Sequence, residues 1–181
     1  MMNRLAHMIN GILLAGLVVG SIAVYDNLPA QIPVHMGLDG KVDGWEARTL
    51  LSWLSLPLVA AGMTVLLYII ARLMDRYPHL VNLPGRERFQ DLSPERRDAV
   101  MRVLRAGLYR TAAAQLAMFI LIQMGIYQAA TGDTAGGYLL AALLIGLAGI
   151  PCIALVLVIK VDATVRATRP ARQNVEAGAG G

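Results

Sequence analysis

With 181 residues the chain is long enough for one domain, and its apolar fraction of 56% against a charged fraction of 15% departs from the roughly 45–50% and about 25% of ordinary soluble domains. Its one cysteine, Cys152, excludes an internal disulfide and a cysteine-built metal cluster. The net charge of +4 comes with no groove-reading motif, so a nucleic-acid partner is not expected.

The apolar excess is concentrated rather than spread. Four runs, 8–25, 50–71, 108–127 and 138–159, approach or exceed the about 20 residues that cross a hydrocarbon core. None holds a charge except at its edge, where a side chain can snorkel to water. The sequence therefore predicts an all-α integral membrane protein with four transmembrane helices. An even number of spans puts both termini and the second loop on one side. That side carries fourteen of the sixteen Lys and Arg residues, nine of them from Arg72 to Arg110, which makes it cytoplasmic by the positive-inside rule. One membrane domain is expected over 1–163, with a polar external loop at 25–49, a basic cytoplasmic loop at 72–107 and a disordered Ala/Gly-rich tail at 164–181.

Residues 1–7 and the first run have the outline of a signal peptide, with Ser21-Ile22-Ala23 at a cleavage position, but the run is long for that role and a retained span is expected. Gly16 and Gly20 form a GxxxG pair, for which packing within the chain is preferred over homodimerisation. Asn10 is expected at the membrane interface. In the first loop, Leu28-Pro29 and Ile32-Pro33 force extended or turn conformations, because the residue before a proline is pushed away from helix. Residues 32–36 and 41–45 flank Asp39-Gly40, a pair that supplies the positive φ of a tight turn, so the loop reads as a small hairpin. A lone hairpin is marginal in water and must rest on the helix ends or a partner, a position that suits Trp45.

The second span has Trp53 near its outer end and Pro57, which removes a backbone hydrogen bond and bends the helix. Tyr77-Pro78 ends its extension. Ser93-Pro94 then starts another helix, with Ser as N-cap and Pro at the first helical position. That helix either lies along the inner leaflet or runs straight into the third span. Gln115 and Gln123 inside the third span are expected to join helices, with a polar interior as the alternative. After a short external turn at 131–137, the fourth span carries Gly146, Gly149 and Pro151, which predict close packing and a kink. Cys152 within it is a small buried or lipid-facing residue.

The first loop concentrates the chain's unusual polar residues. His35, Asp39 and Asp43 are spaced by four, with Asp26 and Glu46 nearby, a composition that can hold a divalent cation. His7 and His79 fall on the opposite side of the membrane, so no second nitrogen ligand is at hand and no metal or cofactor is expected. His35 is expected to orient the hairpin through a hydrogen bond to Asp43 or a backbone carbonyl, with recognition or proton sensing as alternatives. Candidate recognition residues are Pro29, Pro33, His35, Asp39, Gly40, Asp43, Trp45 and Arg48. No hydrolase motif and no buried charge network is present, so neither an enzyme nor a proton-driven pump is expected.

The stretch LPAQIPVHMGLDGKVDGW resembles the signature LPxxIPxHxxxxGxxDxW of a bacterial membrane family of unknown function related to the N-terminal part of the immunity protein SdpI. Leu28, Pro29, Ile32, Pro33, His35, Gly40, Asp43 and Gly44 match it in order, and Arg48 stands where that family usually has Lys. The segment VNLPGRERFQDLSPERR is also similar to one that follows the second helix in many members. The resemblance implies a multi-pass protein of the bacterial inner (plasma) membrane, of immunity or signalling type, acting through the external loop. Its partners would be membrane lipids and a membrane protein or peptide toxin. An accessory or assembly subunit of a larger membrane complex, and a small-solute transporter acting as a homo-oligomer, are the alternatives.

Overall fold

A 38-residue helix, α3 (Pro94–Thr131), forms the axis of the molecule. At 1.5 Å per residue it is about 57 Å long, well beyond a hydrocarbon core of about 30 Å. In the computed structural model, which describes residues 2–36, 42–81, 89–132 and 136–167, α3 packs against every other long helix and against the first strand. Helix α1 spans Met2–Ala23 and α2 spans Leu50–Arg76. Between them strands β1 (Gln31–Met36) and β2 (Val42–Ala47) pair antiparallel, which is the expected hairpin. Its Asp39-Gly40 turn lies outside the described residues. Two short helices, α4 (Gly136–Leu144) and α5 (Ile150–Ala167), joined by a π-helical turn at Ile145–Gly149, make one continuous rod.

Among the described residues, four helices are thus long and apolar enough to cross a membrane: α1 from Arg4, α2, α3, and the α4–α5 rod over Gly137–Arg166. The rod is the most peripheral, with 6% of its most apolar window buried against 33% for α3. Leu140, Leu143, Leu147, Leu155 and Ile159 are all more than half exposed, as a lipid-facing surface requires. Cys152 is also exposed on this rod.

Each local rule has a visible outcome. Thr49 and Ser52 form a reciprocal capping box at the start of α2, each backbone N–H donating to the other's hydroxyl at 3.0 Å. Tyr77-Pro78 ends α2 as expected. Ser93 is the N-cap of α3 with Pro94 at its first position, and the helix runs into the third span without a break. Ahead of Pro151 the backbone widens to π geometry, with the Ile150 N–H donating to the Ile145 carbonyl. A proline ring crowds the carbonyl four residues back, and a wider turn relieves that contact.

Asn10 is held between helices: it is 3% exposed, and its Nδ2 donates to the Tyr68 hydroxyl and the Tyr109 carbonyl, both at 3.1 Å. One expectation is corrected. Gly16 and Gly20 do not serve close packing within the chain, since a Cβ at either would meet nothing within 4 Å. Tight glycines in the helices are Gly107, where a Cβ would come 2.6 Å from Leu157, Gly125, 3.0 Å from Leu139, and, as expected for the fourth span, Gly146, 3.1 Å from the Met118 Sδ. Helix α5 continues to Ala167, past residue 164 where the tail is expected to begin, and carries the Arg166–Asp162 pair at 2.9 Å one turn apart. Residues 168–181 lie outside the described set.

Three apolar clusters lie along the bundle. Leu17, Ala60, Leu116 and Phe119 fill its middle. Leu28, Ile32 and Trp53 form the cluster beneath the hairpin. At the opposite, Arg-rich end, Phe89, Leu92, Val100, Met101, Val161 and Val165 form a third.

Candidate functional site: an anchored hairpin

The hairpin is fixed to the bundle by four linked contacts. Ile32 points inward from β1 at 1% exposure and packs with Leu28 and Trp53, flanked by Ile126, Tyr127 and Ala130 of α3. Trp53, 2% exposed, donates its indole N–H to the Ser21 carbonyl at 2.7 Å. That carbonyl lies in the last turn of α1, where a helix cannot supply its own donors. Gln123 of α3 donates its Nε2 to the Trp53 carbonyl at 3.2 Å. Trp53 precedes Pro57 by four residues, and proline has no N–H to give, so the amide side chain replaces the missing backbone bond. Gln115 does similar joining work, donating to the Ala60 carbonyl at 3.2 Å. Both glutamines therefore link α3 to α2, as expected.

Arg48 makes the fourth contact. Its backbone N–H donates to Ala30 at 2.9 Å, and its Nη1 donates to the Leu28 carbonyl at 2.6 Å, with Tyr25 and Asp26 carbonyls at 3.4 Å. The guanidinium also sits over the Tyr25 ring, 5.3 Å from its centre. A cation placed at the carbonyl end of α1 and its following 3₁₀ turn, Tyr25–Asn27, is electrostatically favourable. The basic residue closing the motif thus ties the hairpin's exit to its entry.

The outer face is different. His35 Nδ1 is hydrogen-bonded to the Asp43 carboxylate, and their side chains are 71% and 53% exposed. The register that brings them together contains irregularities on both sides of His35, which stands opposite Gly44. A Cβ on Gly44 would lie 2.9 Å from the His35 Cβ, so glycine is required for this approach. Val34 and Trp45 are also exposed, at 47% and 48%.

Of the eight candidate residues, the structure brings His35 and Asp43 together and leaves Trp45, two residues along β2, and Pro29, at the foot of the hairpin, exposed. Pro33 is fully buried and Arg48 faces back onto the chain. Asp39 and Gly40 lie outside the described residues. Among the described residues no three His, Cys, Asp or Glu side chains converge as a metal site would need.

Two residues of interest escaped the sequence reading. Trp53 and Gly44 were visible only as a belt aromatic and a motif match. The spacing of Trp53 to Pro57, four residues, was the available signal for an unpaired carbonyl. Beside this anchor a cavity of 450 Å³ opens between α1 and α3, lined by Gly16, Gly20, Trp53, Gln123 and Gln128. The Oε1 atoms of both glutamines are buried without a hydrogen-bond partner among the described residues.

No curated protein and no solved structure matches the chain. Residues 11–61, which hold most of α1, the whole hairpin and the first part of α2, match the family model described as Domain of unknown function (DUF1648).

Proposed function

We propose that the chain is a non-enzymatic, multi-pass protein of the bacterial inner membrane, with its Arg-rich end and both termini cytoplasmic, that recognises a membrane protein or peptide at its external hairpin. An SdpI-like role in immunity or signalling is the biological form of this reading. The observation that carries it is the division of labour across the hairpin. Ile32, Leu28 and Arg48 hold the strands on the bundle, while His35, Asp43, Val34 and Trp45 stay exposed and contribute little to that hold. An exposed carboxylate–imidazole pair beside an exposed tryptophan is a compact polar and aromatic recognition surface. The fourteen-to-two distribution of basic charge supports the orientation.

The test is affinity purification from native membranes with the wild-type chain, His35→Ala, Asp43→Ala and Trp45→Ala. A stoichiometric partner held by wild type and lost from all three variants, each still folded, is expected. Identical catches from all four would reduce the hairpin to scaffolding.

One observation favours the accessory-subunit reading. Gly16 and Gly20 present open space rather than an internal neighbour, the surface a partner helix needs for close approach. Under that reading Gly16→Leu, not His35→Ala, removes the partner.

A further inference from the structure

A second site lies at the other end of the bundle, apart from the hairpin. A cavity of 760 Å³ sits between α1 and α2, with Tyr109 of α3 also lining it. Its polar lining includes His7, Asn10, Tyr68 and Arg72, and Thr64, whose hydroxyl is spent on the Ala60 carbonyl at 2.8 Å. The three rings stack as a cluster, with centres 4.7 Å apart for His7 and Tyr109, 5.0 Å for Tyr68 and Tyr109, and 5.3 Å for His7 and Tyr68. His7 Nδ1 lies 3.1 Å from the Tyr68 hydroxyl.

Two groups in this cluster have no protein partner among the described residues. Arg72 makes no ion pair among the described residues, the nearby Asp75 being engaged by Arg105 at 2.7 Å. Asn10 is 3% exposed, its Nδ2 is fully used, and its Oδ1 is buried with no partner among the described residues. A buried amide oxygen without a donor is unfavourable. The site therefore offers a cation for an anion and, one helical turn deeper, an acceptor for a hydroxyl. Below these groups the walls become apolar, through Leu14, Val65 and Ile69. From His7 to Leu14 the groove runs about 10 Å along α1, at 1.5 Å per residue, which is room for the start of an acyl chain rather than for a free ion alone.

We propose that this cavity binds an anionic phospholipid whose headgroup carries hydroxyls. Its phosphate pairs with Arg72, a hydroxyl donates to the Asn10 Oδ1, and an acyl chain follows Leu14, Val65 and Ile69. Arg is suited to phosphate through its planar array of donors, and a lipid at the basic end of a membrane bundle fills the charge and the apolar groove together.

The test is native mass spectrometry of the full chain in detergent micelles, titrated with phosphatidylglycerol, phosphatidic acid or phosphatidylcholine of identical acyl chains. Phosphatidylglycerol is expected to bind at least about tenfold more tightly than phosphatidylcholine, and Arg72→Gln to remove about that factor, the size of one charge-assisted contact. Arg72 is exposed, so this variant is expected to fold; Lys160→Gln, which lines a different cavity, serves as the charge control and is expected to bind like wild type. Glycerol 1-phosphate is expected not to compete. Equal binding of phosphatidylcholine, an equal loss in Lys160→Gln, or unchanged binding in Arg72→Gln would overturn the site. Full competition by glycerol 1-phosphate would make it a free-anion site instead. Phosphatidic acid binding as tightly as phosphatidylglycerol would remove the hydroxyl contact to Asn10.

Discussion

The two ends of the bundle solve one problem with the same parts and then diverge. Each must hold an irregular segment on the ends of apolar helices, and each does so with an apolar plug and an arginine turned onto carbonyls. At the hairpin end the plug is Leu28, Ile32 and Trp53, and Arg48 donates to the Leu28 carbonyl. At the basic end it is Phe89 and Leu92 on α3 and α5, and Arg97 donates from Nε to the Leu92 carbonyl at 2.9 Å and from Nη2 to the Gln90 carbonyl. The carbonyls of short 3₁₀ turns lack internal donors, and a forked guanidinium serves several of them at once. What differs is what remains over. The hairpin end exposes a hydrogen-bonded His35–Asp43 pair and an aromatic, whereas the basic end keeps Arg72, without an ion pair among the described residues, beside a cavity. The first is suited to a shaped partner, the second to an anion.

The sharpest way to break this comparison is to remove one plug at a time. Trp53→Ala deletes a buried ring and the donor to Ser21, and is expected to cost about 3–5 kcal/mol, read as a lowered unfolding temperature in detergent. Hairpin amides should exchange freely in this variant while those near Phe89 stay protected; Phe89→Ala should give the mirror pattern. Next in size, Gln123→Leu leaves the Trp53 carbonyl unpaired and is expected to cost about 1–3 kcal/mol. Adding Pro57→Ala should recover part of that loss, because position 57 regains an N–H for the same carbonyl, and a double-mutant cycle reads the coupling. Independent, additive effects would remove the proline-compensation account.

Of similar size but more local is Gly44→Ala, expected to cost about 1–3 kcal/mol by forcing His35 off its approach, visible as lost protection in β1 and β2 alone. Smallest are His35→Ala and Asp43→Ala. Their pairing is exposed, so each should change stability by under about 1 kcal/mol even where partner binding is abolished. A large loss of stability in either would show that the outer face also holds the fold.

How much of this was legible in the sequence follows the same division. The prolines at 29 and 33 and the Asp39-Gly40 pair announced a hairpin because such constraints act within a few residues. Gln115 and Gln123 were readable as helix links because an amide in an apolar run has few other uses. Asn10 was not, since its partners Tyr68 and Tyr109 lie 58 and 99 residues away and only packing brings them together. The basic-end plug was also hidden. Phe89 and Leu92 stand among charged residues with no helical or strand period, so nothing local marks them as buried. The GxxxG pair misled in the opposite way, because a pattern that permits close approach does not say to which helix.

The central claim is that the inner face of the hairpin holds its shape while the outer face is free to bind. Hydrogen exchange of the chain in lipid nanodiscs, comparing Arg48→Met with the His35→Ala, Asp43→Ala double variant, tests it most directly. Arg48→Met, which removes charged donors worth about 1.5–3 kcal/mol, should unprotect the amides of β1 and β2, and the double variant should leave them as in wild type. Equal loss of protection in both would contradict the account, because the exposed pair would then be part of what holds the hairpin.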